Sequence, residues 1–172
     1  LSPLEYRALR DSCRNDLRIS ALVELILQTG IRIAEVANLT LEDIKDGEIH
    51  IKPDESHAER NIPLNKAAKD ALSRYFAERP KSKGKIVFVT KSGRPFLIRN
   101  IRSSLEKYFE VAGIKDATVN DLRHTWIHYH LASGTPLVII SKLAGHKRLS
   151  TTEKYLKLIS EKKGESLKLE EL

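Results

Sequence analysis

The sequence predicts a mainly helical α+β fold with one small antiparallel sheet. Three observations carry this reading. Apolar residues recur at helical spacing in segments bounded by caps, one stretch near residue 50 alternates with period two, and no repeat or linker divides the 172 residues. Ser2-Pro-Leu-Glu5 is a capping box with proline at the first helical position, and Leu4, Tyr6 and Leu9 give the helix behind it an apolar face. A second helix over residues 16–28 is apolar enough at Ile19, Leu22, Val23, Leu25, Ile26 and Leu27 to be a core helix, and Gly30 ends it. A short third helix follows over residues 33–38, and residues 40–43 cap one more turn.

Asp46-Gly47 marks a turn into residues 48–52, which alternate, and residues 60–64 return as the second strand of a hairpin with a longer loop. Asn65 caps a helix to about residue 78 with Ala68, Ala71, Leu72, Tyr75 and Phe76 inward. Residues 86–89 read as a short buried strand, and residues 98–111 as a long helix with Ile101, Leu105, Tyr108 and Phe109 inward. Thr118 or Asn120 caps the next helix, which packs on Leu122, Trp126, Ile127 and Leu131 and ends at Gly134. Pro136 opens a helix that Gly145 closes, because the C′ position after a helix favours a left-handed backbone. Ser150 and Glu153 form a capping box, so a last helix is expected to start at Thr151 with Tyr155 in its second turn.

Composition narrows the function classes. The hydrophobic fraction of 41% suffices for one domain with a real core. No apolar run approaches the ~18 residues of a membrane span, so no membrane partner is expected. The lone cysteine, Cys13, excludes an internal disulfide and a cysteine zinc site, which points to a reducing, cytoplasmic setting. His124, His128 and His130 lack partner carboxylates at a recognised ligand spacing, so no metal site is expected, and the chemistry considered below calls for no cofactor. The net charge of +7 is spread over the chain, a pattern suited to a folded surface that meets a polyanion.

Four residues at helix ends or junctions carry a candidate chemistry: Arg32, Arg123, His146 and Tyr155. Arg32 stands between two apolar helices with Glu35 three residues on, where burial calls for an anionic partner. Arg123 and His124 lie near the positive end of their helix. Two arginines can hold the non-bridging oxygens of one phosphate, a histidine can donate a third bond, and a tyrosine hydroxyl can attack phosphorus without a metal.

The stretches Thr29-Gly-Ile-Arg32-Ile-Ala-Glu35-Val-Ala-Asn-Leu39, Asn120-Asp-Leu-Arg123-His124 and Leu143-Ala-Gly-His146, followed by Thr151-Thr152 and Tyr155, resemble in order the signature boxes of tyrosine recombinases. That family includes phage and plasmid integrases and the Xer proteins. The resemblance implies a catalytic domain that cleaves and rejoins DNA at attachment sites through a 3′-phosphotyrosine. It implies a homotetramer on two duplexes, with a monomer expected free in solution, and a DNA-associated, nucleoid location. An N-terminal core-binding domain is expected to lie outside this chain, which is itself one catalytic domain over residues 1–172. Residues 160–172 would then be a tail that docks on a neighbouring protomer.

Carried over by residue, the resemblance makes Arg32 and Arg123 the paired arginines, His146 the third-box histidine and Tyr155 the nucleophile. Glu35 and His124 take supporting places. Asn120 stands where the family usually has histidine, which leaves the base for tyrosine activation open, since an amide cannot accept and return a proton. The family's hairpin lysine aligns with Glu55, and Lys52 is the nearest lysine and the expected general acid. Arg60, Lys147 and Arg148 are expected DNA contacts. Two alternatives share these residues: a type IB topoisomerase-like relaxing enzyme, and a DNA-binding module of the same fold with impaired catalysis.

Overall fold

The computed structural model describes residues 1–55 and 57–163. Helix α1 (Pro3–Cys13) closes its Ser2–Glu5 capping box, and α2 (Leu17–Thr29) starts from Asp16, whose carboxylate accepts the Ile19 N–H. The near-continuous apolar surface of α2 has a structural counterpart: Ile19, Leu22, Val23 and Leu25 are fully buried. It packs against α1, α4 (Lys66–Glu78) and α6 (Val119–Ala132), so it forms the axis of the main core. Burial of each such aliphatic side chain is worth about 1.5–3 kcal/mol, enough for α2 to fix the frame in which its C-terminal end is held. That end leads directly through Gly30 to α3 (Ile33–Asn38).

The sheet has three strands: the expected hairpin and, ahead of it, a short strand the sequence did not mark. After a 3-10 turn at Leu41–Asp43, β1 (Ile44–Lys45) pairs with β2 (Glu48–Ile51), which pairs with β3 (Arg60–Pro63), all antiparallel. The register sets Ile44 opposite Ile49, Ile49 opposite Ile62 and Ile51 opposite Arg60. Period two therefore turns Arg60 toward the same inner face as Ile62.

Val87, Phe88 and Val89 are buried as expected, but residues 86–89 make only single bridges, Thr40 with Ile86 and Val89 with Pro95. Side chains complete their backbone bonding instead: the Val87 carbonyl accepts from Tyr75 Oη at 3.1 Å and from Arg79 Nε at 2.8 Å. Tyr75 stacks on Phe88 and takes the inward place on α4, leaving Phe76 exposed against expectation.

Helix α5 (Ile98–Val111) buries Ile101, Leu105 and Phe109. Beyond it, α6, α7 (Leu137–Ala144) and α8 (Leu149–Lys163) enclose a second, smaller core of Trp126, Ile127, Leu131, Ile140 and Ala144, with Tyr155 and Ile159 at its edge. Helix α8 begins two residues ahead of the expected Thr151, because the Thr151 N–H already bonds the Arg148 carbonyl. The expected docking tail falls largely outside the described residues: 164–172 are not described, nor are the side chains of 160–163. Among the described residues no helix is long and apolar enough to cross a membrane.

Candidate active site

Two left-handed glycines build the floor of the site. Gly30 has φ of 64°, and a Cβ there would collide with the Trp126 ring. The bend leaves its carbonyl pointing at α6, where Arg123 Nη1 donates to it. Gly145 has φ of 66°, and a Cβ there would meet the Arg60 guanidinium at 2.6 Å. Its carbonyl accepts from Arg32 Nη2 at 2.9 Å, across 113 residues of sequence. Each glycine thus seats an arginine, and the seats lie where α2 and α7 end.

Arg32 caps α3, its backbone N–H donating to Glu35 Oε2 at 2.8 Å. Its side chain is 28% exposed, so the guanidinium remains within reach of a ligand. Arg123 is buried and lies in the second turn of α6. Besides Gly30 it serves Ala144, whose carbonyl accepts from Nη2 at 2.7 Å, and His146, whose Nε2 lies 3.1 Å from the same nitrogen. Of its five N–H donors, three are accounted for and the rest remain for an anion.

His146 is the meeting point. A guanidinium only donates, so Nε2 accepts from Arg123, and a neutral ring then carries its proton on Nδ1. Thr152 Oγ1, fully buried on α8, lies 2.6 Å from Nδ1 and accepts that proton's hydrogen bond. Burial, followed by the charges of Arg123, Arg32 and Arg60, pushes His146 down to about 4. The imidazole is neutral at pH 7 and aims a lone pair at Arg123, whereas the sequence suggested a donor to phosphate. Arg123 is itself lowered to about 10, by burial first and then by Arg32, and stays cationic at neutral pH.

Tyr155 is half-buried on the turn of α8 that also carries Thr152. Its ring lies nearly parallel to that of His146 with centroids 6.5 Å apart, and meets His124 edge-on at 5.7 Å. Burial raises the phenol, with Arg123 opposing.

The remaining expected residues are placed as follows. Arg60 departs from a surface role: it is buried, gives both terminal nitrogens to Glu35 at 2.8 Å, and donates from Nε to the Leu143 carbonyl at 2.7 Å. Glu35 is correspondingly held below its ordinary value. Burial alone would raise it, but the Arg60 bonds and charge, the Arg32 N–H and His57 outweigh burial. His57 was not singled out from the sequence. It is buried, with Nε2 3.0 Å from Glu35 and 2.9 Å from Asp54, and so ties the β2–β3 loop to α3.

Lys52 is exposed, 3.2 Å from Asp43 Oδ1. Lys147 and Arg148 are exposed beside His146, and the Lys147 ammonium rests on the Glu55 carbonyl. Asn120 and His124 are exposed on the first turns of α6.

The titration of His146 makes one expectation concrete. An unfolded histidine titrates near 6.5 and the folded His146 near 4. Between those values the unfolded chain binds more protons, so stability declines as pH falls across that window. His146→Asn is expected to flatten the decline of Tm between pH 6.5 and 4, and an unchanged slope would contradict a neutral, buried imidazole.

Comparison with known proteins bears on the family and the fold. The model of the phage integrase family matches residues 1–162. Tyrosine recombinase XerC of Thermodesulfovibrio yellowstonii is 34% identical over 149 residues, covering 80% of this chain and 49% of that protein. The chain therefore spans about half the length of the curated relatives it matches. Among solved structures, the XerA recombinase superposes with a TM-score of 0.83 at 24% identity, over 96% of this chain and 64% of that one. The XerH recombinase bound to a palindromic difH substrate gives 0.78 at 20% identity, over 95% and 52%. The fold is that of tyrosine recombinase catalytic domains, and the chain belongs to the phage integrase family.

Proposed function

We propose that this chain is the catalytic portion of a site-specific DNA recombinase that breaks and rejoins strands through a 3′-phosphotyrosine. The observation that carries the reading is the convergence of Arg32 and Arg123 on the carbonyls of Gly30, Ala144 and Gly145, with His146 against Arg123 and the Tyr155 ring against the imidazole. In this reading the two guanidinium groups hold the non-bridging oxygens of a scissile phosphate and offset the charge that grows as Tyr155 Oη attacks. His146 orients Arg123 rather than binding phosphate directly. Metal is unnecessary, because fixed cations already surround the phosphate, and Glu35 is committed to Arg60.

Lys147 and Arg148 are exposed next to His146 and take the role of backbone contacts, while Lys52 remains the candidate donor to the leaving 5′ oxygen. The working assembly is a homotetramer on paired double-stranded attachment sites, formed from monomers and associated with the nucleoid.

The test is covalent trapping. Nicked duplexes of randomised sequence, incubated with the protein in excess chelator, are expected to yield a denaturation-resistant adduct whose nucleotide maps to Tyr155 by mass spectrometry. An adduct that requires added divalent metal, or that maps to another residue, would overturn the mechanism. Binding without any adduct would instead favour a DNA-binding module that has lost catalysis.

A further inference from the structure

Attack by Tyr155 requires a group to take its phenolic proton, because burial keeps the hydroxyl protonated at neutral pH. Asn120, exposed in the first turn of α6, has no basic nitrogen. Two imidazoles meet the Tyr155 ring. That of His146 is engaged on both sides, by Arg123 at Nε2 and Thr152 at Nδ1. A proton added at Nε2 would set two positive charges 3.1 Å apart inside the protein.

His124 differs in each respect. It directly follows Arg123 on α6, its side chain is exposed, and its ring stands edge-on to Tyr155 at a centroid distance of 5.7 Å. Among the described residues no hydrogen bond engages either of its ring nitrogens. We propose that His124 is the proton acceptor for Tyr155, an inference that rests on the recombinase reading above.

The charged groups facing His124 are Asp121 one turn back, Arg123 beside it and the amino group of Leu1. Partial burial, with Arg123 and that amino group, outweighs Asp121 and lowers the imidazole, which is therefore neutral and able to accept at pH 7. In the step, the Tyr155 Oη–P bond forms as the P–O5′ bond breaks. The phenolic proton passes to a His124 ring nitrogen, and the departing 5′ oxygen takes up a proton from the Lys52 ammonium, the donor proposed above, which solvent then reprotonates. Religation reverses each transfer, and His124 returns the proton to the phenol.

The experiment uses nicked duplexes recovered as adducts by the unaltered chain from a randomised pool. His124→Ala is expected to slow adduct formation on the order of 10²–10⁴-fold. His124→Phe keeps an aromatic edge against Tyr155 without a basic nitrogen, and is expected to slow it equally. Trifluorotyrosine at position 155, ionised at neutral pH, is expected to bring His124→Phe within about tenfold of the unaltered chain carrying the same analogue. A 5′-bridging phosphorothiolate, whose sulfur leaves without a proton, is expected to restore nothing.

An unaltered rate in His124→Phe would overturn the proposal. So would a loss that the phosphorothiolate repairs, which would assign His124 to the leaving group, or a loss that trifluorotyrosine leaves unrepaired. Recovery of no adduct by the unaltered chain would remove the recombinase reading itself, and this role with it.

Discussion

Arg123→Lys is expected to slow covalent adduct formation by at least about 10²-fold while leaving the net charge of the chain unchanged. The charge survives, but an ammonium on a flexible stem cannot reach Gly30, Ala144 and His146 at once, as the guanidinium does. A phosphate-binding donor of this kind is typically worth about 2.7–4 kcal/mol to the transition state, and the variant also releases the imidazole whose orientation depends on it. There is a separate cost to the fold. The Gly30 and Ala144 carbonyls lose a buried donor, which destabilises by about 1–3 kcal/mol for each group left unpaired. Single-turnover kinetics at saturating duplex, read beside a denaturant midpoint, separate the two effects. A rate within tenfold of the unaltered chain would remove Arg123 from the proposed chemistry.

Glu35→Ala is expected to be the most destabilising single change near the site, at about 3–5 kcal/mol. The carboxylate is buried and receives Arg60 through two bonds, His57 through a third and the Arg32 N–H through a fourth. Its removal strands a buried guanidinium that keeps only the Leu143 carbonyl. For a domain of this size each kcal/mol moves Tm by roughly 2–4 °C, so a fall on the order of 10 °C is expected. Pairing the change with Arg60→Met removes the stranded charge, and the double variant is expected to recover much of the loss. A Glu35→Ala chain that melts within about 2 °C of the original would show that the pair is not sealed from water.

What could be read in advance follows the strength of the local signal. Helices with a cap and an apolar face, such as α1, α3 and α4, fall where the sequence puts them, because cap and packing face select the same boundaries. Strand β1 was missed: two residues are too few to show alternation, and only pairing with Ile49 and Glu48 defines them. The same limit applies to residues 86–89, whose apolar run is real but whose partners are isolated backbone bonds to Leu39 and Phe96 and the side chains of Tyr75 and Arg79 rather than a paired strand.

At the site, Arg32, Arg123, His146 and Tyr155 sit beside glycines or caps that mark them. The burial of Arg60 was readable, since it stands two residues before Ile62 in a strand that alternates, but its charge suggested a surface place. Thr152, three residues before Tyr155, also carried a usable helical spacing. His57 carried none, lying in a loop whose contacts are set by the tertiary fold alone.

Thr152 and Tyr155 occupy one turn of one helix, and that shared address works as an interlock. Were α8 to lift from its seat, the nucleophile would depart together with the hydroxyl that pins the imidazole's proton. The departure would disarm two parts at a stroke, so a vacated pocket would be left unprimed rather than idling with a loaded histidine.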